Sequence, residues 1–347
     1  MHIFDYNFLK EELLPARLID LGASLGSLKE AAQQRKKVHP AIFSSLEQIA
    51  RVQSVKTSNA IEGIITSDKR IEAIVNQSSA PLNHDEEEIA GYRDALDFVH
   101  TNYKDLDIRT ADILSLHQMM LAHTTAGGGH WKTSDNYIIE IDNFGQRSIR
   151  FSPTPASETP TAMEQLILAY LSARGDASIS PLLLIPCFVL DFLCIHPFAD
   201  GNGRMSRLLS LLLLYQAGYD VGRYISFEEQ INHAKAYYYE ALRRSSAGWH
   251  ENESSYFPFV EQFTFTLLRC YRELDNRFAV VDDKRLTKQN RIEATVLNSL
   301  PPISKREIVA ILPDVSPTTV EKVLGEMVRA GQVKKVGAGR STKYKRI

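Results

Sequence analysis

The chain has 347 residues, 44% of them hydrophobic and 24% charged, with a formal net charge of −2. That is long enough for two or three domains with real cores, and the composition is that of a globular protein, not of a disordered or fibrous one. The near-zero net charge says nothing about partners until it is divided by region.

Cys187, Cys194 and Cys270 stand in apolar helical stretches with no CxxC spacing. They read as buried thiols in a reducing cytoplasm, not as disulfides or metal ligands. The first ten residues, MHIFDYNFLK, carry charges and no continuous apolar run, so a signal peptide is not expected. The longest apolar run, Pro181 to Ile195, is too short for a bilayer and contains Pro186 and Asp191. It reads as a core helix, and no membrane partner is expected.

Helical periodicity dominates, so the fold class is mainly α. Residues 1 to about 40 suggest one or two peripheral helices. A helix from Ile42 runs through Leu46, Ile49, Ala50 and Val52 and closes at Ser58-Asn59-Ala60-Ile61-Glu62-Gly63. Gly63 suits the left-handed cap, and Glu62 sits at the end where the helix dipole disfavours a carboxylate. Such a carboxylate invites a basic partner, although a surface glutamate is the ordinary reading. Residues 78–88 form a polar linker, with Asp85 or Glu86 opening a helix and the acidic run as its solvated start. From there the main helical domain begins. Ile113, Leu116, His117, Met120 and Leu121 share one helical face, with His117 read as a core histidine and Gly127-Gly128-Gly129 as the helix stop. Asn136 to Ile141 and Ser148 to Phe151 alternate as two strands around Asp142-Asn143-Phe144-Gly145, a hairpin. Pro153 and Pro155 close it, and a helix from Ala162 to Leu171 follows.

Between the apolar runs Leu182 to Ile195 and Leu208 to Leu214 lies His196-Pro197-Phe198-Ala199-Asp200-Gly201-Asn202-Gly203-Arg204-Met205-Ser206-Arg207. Gly201 and Gly203 let the backbone turn and approach a ligand. Asn202 offers an amide donor or a left-handed turn. A helix beginning at about Arg204 aims its free N–H groups into the loop, an anion site by geometry and dipole. Arg204 and Arg207, three apart, share a face and suit a di- or triphosphate. Asp200 suits Mg²⁺ shared with substrate phosphates. His196 is the one loop side chain that takes a proton near neutral pH. Downstream, Glu228 to Asn232 lead into a helix with Tyr237, Tyr238 and Tyr239, ordinarily core residues. Ser246 to Trp249 break it, and Phe257 to Leu274 is the last core helix.

From Lys284 onward basic residues outnumber acidic ones fourteen to five, leaving an acidic body before a basic tail. The tail reads as a separate module. It has helices over Arg291 to Leu300 and Ser304 to Leu312, and a third opened by Ser316-Pro317 that Gly331 stops. A basic hairpin over Val333 to Lys345 completes a winged helix-turn-helix. DNA is one use for such a module. Glu321 and Glu326 beside Lys322 and Arg329 keep the third helix from being strongly basic, so protein docking and internal packing stay open.

The 196–207 stretch resembles the signature of Fic-domain proteins, H-P-F-x-[D/E]-G-N-G-R-x-x-R, with every fixed position present. The resemblance implies a Fic-type helical core with a hairpin flap, and transfer of AMP from ATP to a Ser, Thr or Tyr hydroxyl of a target protein. It implies His196 as general base and Asp200 as the Mg²⁺ ligand. Gly201, Asn202 and Gly203 would form the anion hole, and Arg204 and Arg207 would hold the β and γ phosphates. Ser58, Glu62 and Gly63 resemble the family's inhibitory motif, [S/T]-x-x-x-E-[G/N], placed N-terminal in the same chain. Glu62 would pair with Arg207 and occupy the γ-phosphate position. The 136–151 hairpin resembles the flap on which a target docks as an added strand. The family usually has an arginine where Lys132 stands nearby. Tyr238 and Tyr239 are the candidates for the adenine pocket. The domains expected are 1–84 with the inhibitory motif, 85–278 as the catalytic core and 284–347 as the winged helix. Self-modification and a homodimer remain open. The rival readings are a DNA-binding or nucleotide-sensing regulator, and a Fic-type enzyme that removes AMP. A dead scaffold is opposed by the complete motif.

Overall fold

The structure, a computed structural model, describes residues 2–11, 13–141, 146–282, 287–299, 302–339 and 342–347. Helices dominate. A short α1 (Phe8–Glu11) leads into α2 (Ala16–Val38), which lies along α12 (Phe257–Asp282). Helix α2 buries only Leu18, Leu21 and Leu25, the surface position expected, whereas the residues before it reach the core. The Tyr6 hydroxyl donates to Asp191 Oδ2 at 2.7 Å, while Trp249 Nε1 and the Tyr256 hydroxyl donate to Oδ1 at 2.8 and 2.7 Å. Three donors make a fully buried carboxylate tolerable, yet burial still pushes its pKa up to about 6.

Helix α3 (Pro40–Ile61) opens on Pro40, whose missing N–H costs nothing there. It ends as expected. Gly63 is left-handed (φ 86°), with Ile64 N donating to Asn59 O and Gly63 N to Ala60 O, both at 3.1 Å. A helix absent from the sequence reading, α4 (Asp68–Gln77), follows under a Ser67 cap. Helix α5 (His84–Asn102) is capped by Asn83. Its acidic start is only half solvated, with Asp85 and Glu87 part-exposed. Glu86 is buried against Arg70 at 2.6 Å and Glu88 against Arg204 at 2.5 Å, because distant cations fold over this turn.

Helix α6 (Thr110–Met120) stops before the glycine run instead of at it. The glycines serve packing: a Cβ on Gly128 would stand 2.7 Å from the His117 carbonyl. Strands β1 (Ile138–Ile141) and β2 (Arg147–Phe151) pair antiparallel, Ile139 opposite Ile149. The expected turn, Asp142 to Gly145, lies outside the described residues. Helix α7 (Thr159–Arg174) then packs on α8 (Pro181–Ile195), and α8 on α9 (Asn202–Gln216). Pro186 inside α8 cannot donate to Leu182 O, and Thr264 Oγ1 of α12 does so instead, at 3.4 Å. After α9 come α10 (Phe227–His233) and α11 (Lys235–Ser246), which precede α12.

The carboxy-terminal elements are α13 (Lys288–Asn298), β3 (Ile303–Ser304), α14 (Lys305–Ile311), α15 (Pro317–Arg329), β4 (Val333–Val336) and β5 (Lys343–Arg346). The strands form one sheet in the order β3-β5-β4. Ser304 and Glu307 close a reciprocal capping box on α14, and Ser316 caps α15. Lys284, Leu300 and residues 340–341 of the expected hairpin lie outside the described residues. This region touches the body, α13 against α12 and α14 against α3. Among the described residues, no helix is long and apolar enough to cross a membrane.

Candidate active site

A cavity of about 320 Å³ opens where the start of α9, the end of α3, the hairpin and α11 converge. Its floor is the 196–203 loop. His196 ends α8 in the left-handed conformation (φ 51°), a strained choice for a residue with a Cβ. Its Nδ1 donates to Leu193 O at 3.3 Å, so Nε2 is the unprotonated nitrogen. Burial holds the ring pKa down to about 4, with the Lys132 charge adding to the effect and Glu62 and Asp200 opposing it. The imidazole is neutral at physiological pH and can accept a proton.

Phe198 anchors the loop. Its ring stacks on His117 at 3.6 Å between centroids and lies 5.2 Å from Trp131. His117 is a core histidine with a task. It accepts from Gly129 N at 3.0 Å and donates to Asp200 O at 3.1 Å.

Helix α9 starts at Asn202, two residues earlier than expected, because Gly201 takes a left-handed turn (φ 80°) as its cap. The Asn202 side chain is not an anion donor. It grips Phe198, accepting from its N–H at 2.9 Å and donating to its carbonyl at 2.7 Å. The Gly201 N–H is also committed, to Asp200 Oδ1 at 2.7 Å. The anion site therefore reduces to the first-turn N–H groups from Asn202 to Arg204, whose own helix offers them no acceptor.

Asp200 is 74% exposed at the cavity rim, one oxygen pinned by Gly201 N and the other 3.3 Å from Arg204. A single exposed carboxylate beside an anion site fits Mg²⁺, which takes one or two carboxylates and completes its shell with phosphates and water.

The two arginines differ. Arg204 is 1% exposed and pairs with Glu88. Arg207 is also buried, but its guanidinium is shared. Nε donates to Ser58 Oγ at 2.8 Å and Nη2 to Ser58 O at 2.9 Å, and Nη2 meets Glu62 Oε1 at 2.8 Å. Glu62 itself is 33% exposed. It reaches in over Gly203, where an added Cβ would stand 2.3 Å from Glu62 Oε1.

Tyr238 and Tyr239 both line the cavity, Tyr238 buried and Tyr239 partly so, while Tyr237 points outward. Sequence reasoning missed Arg150. It enters from β2 with its Nε buried and unpartnered among the described residues. Strand alternation gave no signal for it, since Arg150 and its neighbour Phe151 both line the cavity. Lys132 does not stand free at the flap; it is buried beneath the loop.

The profile of the Fic/DOC family matches residues 107–214. Protein adenylyltransferase Fic of Nematostella vectensis is 26% identical over 207 residues, 57% of this chain and 44% of that protein. Its Drosophila melanogaster counterpart is 29% identical over 134 residues, 38% of this chain and 25% of that one. The chain thus spans less than half the length of these curated relatives. The crystal structure of a Fic family protein from Desulfovibrio desulfuricans G20 aligns with a TM-score of 0.59 at 20% identity, covering 97% of each chain. At that identity it shows a shared fold.

Proposed function

From the premise that residues 107–214 are a Fic domain, we propose that this chain is a protein adenylyltransferase held in check by Glu62. The observation that carries the reading is His196. Its Nε2 is unpartnered among the described residues, and the ring lines one cavity with the first-turn N–H groups of α9 and Arg207. ATP is the substrate and a target hydroxyl the nucleophile. The hydroxyl oxygen bonds to the α-phosphorus, the bond from that phosphorus to the β-bridging oxygen breaks, and pyrophosphate leaves. The hydroxyl proton goes to His196 Nε2. The N–H groups from Asn202 to Arg204 hold phosphate oxygens, Arg207 takes the terminal phosphate once Glu62 withdraws, and Tyr238 and Tyr239 flank the base. Asp200 is the residue that would hold Mg²⁺, which supplies positive charge to the departing phosphates. Alignment and charge stabilisation supply most of the acceleration, with the base adding about 10²–10⁴-fold. The target lies along β1 and β2.

The test is label transfer from α-labelled ATP. Glu62→Gly labels protein more strongly than the parent, and adding His196→Ala lowers labelling by about 10²–10⁴-fold. No labelled protein from Glu62→Gly in lysate, with ATP bound, overturns the reading. Loss of label from a pre-modified target in the parent chain would instead assign AMP removal. A second reading rests on the exposed Lys334, Lys335, Lys345 and Arg346 of β4 and β5, which suit DNA phosphates. A gel shift of the full chain that disappears with Lys334→Ala and Lys335→Ala would support it.

A further inference from the structure

The base loop has an accounting problem. Residues 195–198 leave α8, turn through a left-handed histidine and cannot satisfy their carbonyls by continuing a helix. Two side chains and one backbone amide take all four in succession. Lys132 Nζ donates to Ile195 O at 3.1 Å and Lys132 N to Pro197 O at 2.8 Å. Asn136 Nδ2 donates to His196 O at 3.4 Å and to Phe198 O at 3.1 Å. The two are joined, Lys132 Nζ to Asn136 Oδ1 at 2.8 Å. Asn136 stands two residues before β1, so the same amide ties the root of the hairpin to the loop that carries His196.

We propose that Lys132 and Asn136 are positioning residues for the base, a strut that fixes the His196 loop and registers it against the hairpin. The proposal rests on the transferase reading for its kinetic consequence but not for its geometry. The ammonium is also the nearby cation acting on the imidazole, while the charges opposing it there come from Glu62 on α3 and Asp200 in the loop. Lys132 is 4% exposed, and its burial brings its own pKa down to about 8. An amine kept in so dry a place without a carboxylate bonded to it has a role that an apolar side chain would fill at lower cost if packing were all.

The experiment uses the full chain carrying Glu62→Gly, with Lys132→Met, Lys132→Gln, Lys132→Arg and Asn136→Leu added singly. Two readouts are taken: kcat and KM for ATP in label transfer, and the His196 ring titration by NMR, assigned with His196→Ala. Lys132→Met is expected to lower kcat by about 10–100-fold, the scale of an ångström-level misplacement, with KM for ATP within about twofold. It also raises the His196 titration midpoint. Lys132→Arg restores both, Lys132→Gln restores part of kcat without the midpoint, and Asn136→Leu lowers kcat alone. An unchanged midpoint and kcat in Lys132→Met overturns the strut. So does a parallel loss of kcat, ATP affinity and melting temperature that Lys132→Arg does not rescue, since that is packing alone. If the Glu62→Gly parent transfers nothing, the transferase reading fails, and the ring titration still decides the strut.

Discussion

Two arginines three residues apart on α9 meet two glutamates, and the pairs are built differently. Arg204 and Glu88 are buried together, 1% and 9% exposed, on adjoining core helices. Arg207 is as buried as its neighbour, yet its partner Glu62 is one-third exposed and caps the C-terminal end of α3. One carboxylate cannot leave without exposing its helix; the other needs only a side-chain rotation. Similar charges in similar contact thus make a fixture in one place and, on the function proposed above, a lock in the other, with solvent access to the acid separating the two.

Breaking the fixture has the largest expected effect. Glu88→Ala leaves a buried guanidinium with only Asp200 nearby, and costs about 3–5 kcal/mol in denaturant unfolding. Breaking the lock costs far less. Glu62→Gly removes a half-screened charge, and Ser58 still holds Arg207, so unfolding shifts by about 1 kcal/mol while label transfer rises roughly tenfold or more. Equal stability losses for the two would erase the distinction. Gly203→Ala sharpens it. The new methyl displaces Glu62 but fills the space a phosphate needs, so ATP affinity falls severalfold and transfer stays within about twofold of the parent. The mildest test leaves both pairs intact. Burial lowers His2, His117 and His196 to about 4 and His100 to about 3. These groups bind protons more readily unfolded, so their stability is full above about pH 6.5 and is lost as pH falls toward 4. Asp191, raised to about 6, works the other way and favours the fold most below its unfolded value. Burial also lowers His233 and raises Glu229, so five imidazoles stand against two carboxylates and the melting temperature falls on acidification between those limits.

The loop chemistry was legible because it is contiguous: base, carboxylate, glycines and arginines lie within one dozen residues between two apolar runs. The hairpin and the Gly63 cap were legible through local periodicity and backbone preference. What escaped were relations across the chain. Nothing near Glu88 announces Arg204, and nothing near Tyr6 announces Asp191, 185 residues on. The sequence offered the Asn202 amide as a donor or a turn former, and its side chain looks back four residues to Phe198 instead of outward. The short α4 escaped although Ile71, Ile74 and Val75 stand at the i, i+3, i+4 spacing of a helix and all three are buried.

Helix α3 is fastened at several points. Ser54 donates to Glu228, Lys235 Nζ reaches Ile61 O, and α14 lies against it. If Glu62 is the lock proposed above, a beam so clamped does not swing away when it opens. Release then belongs to the fast motions of a side chain, and its signature is a changed rotamer at one glutamate in an otherwise unmoved molecule, invisible to helical content and to hydrodynamic radius alike.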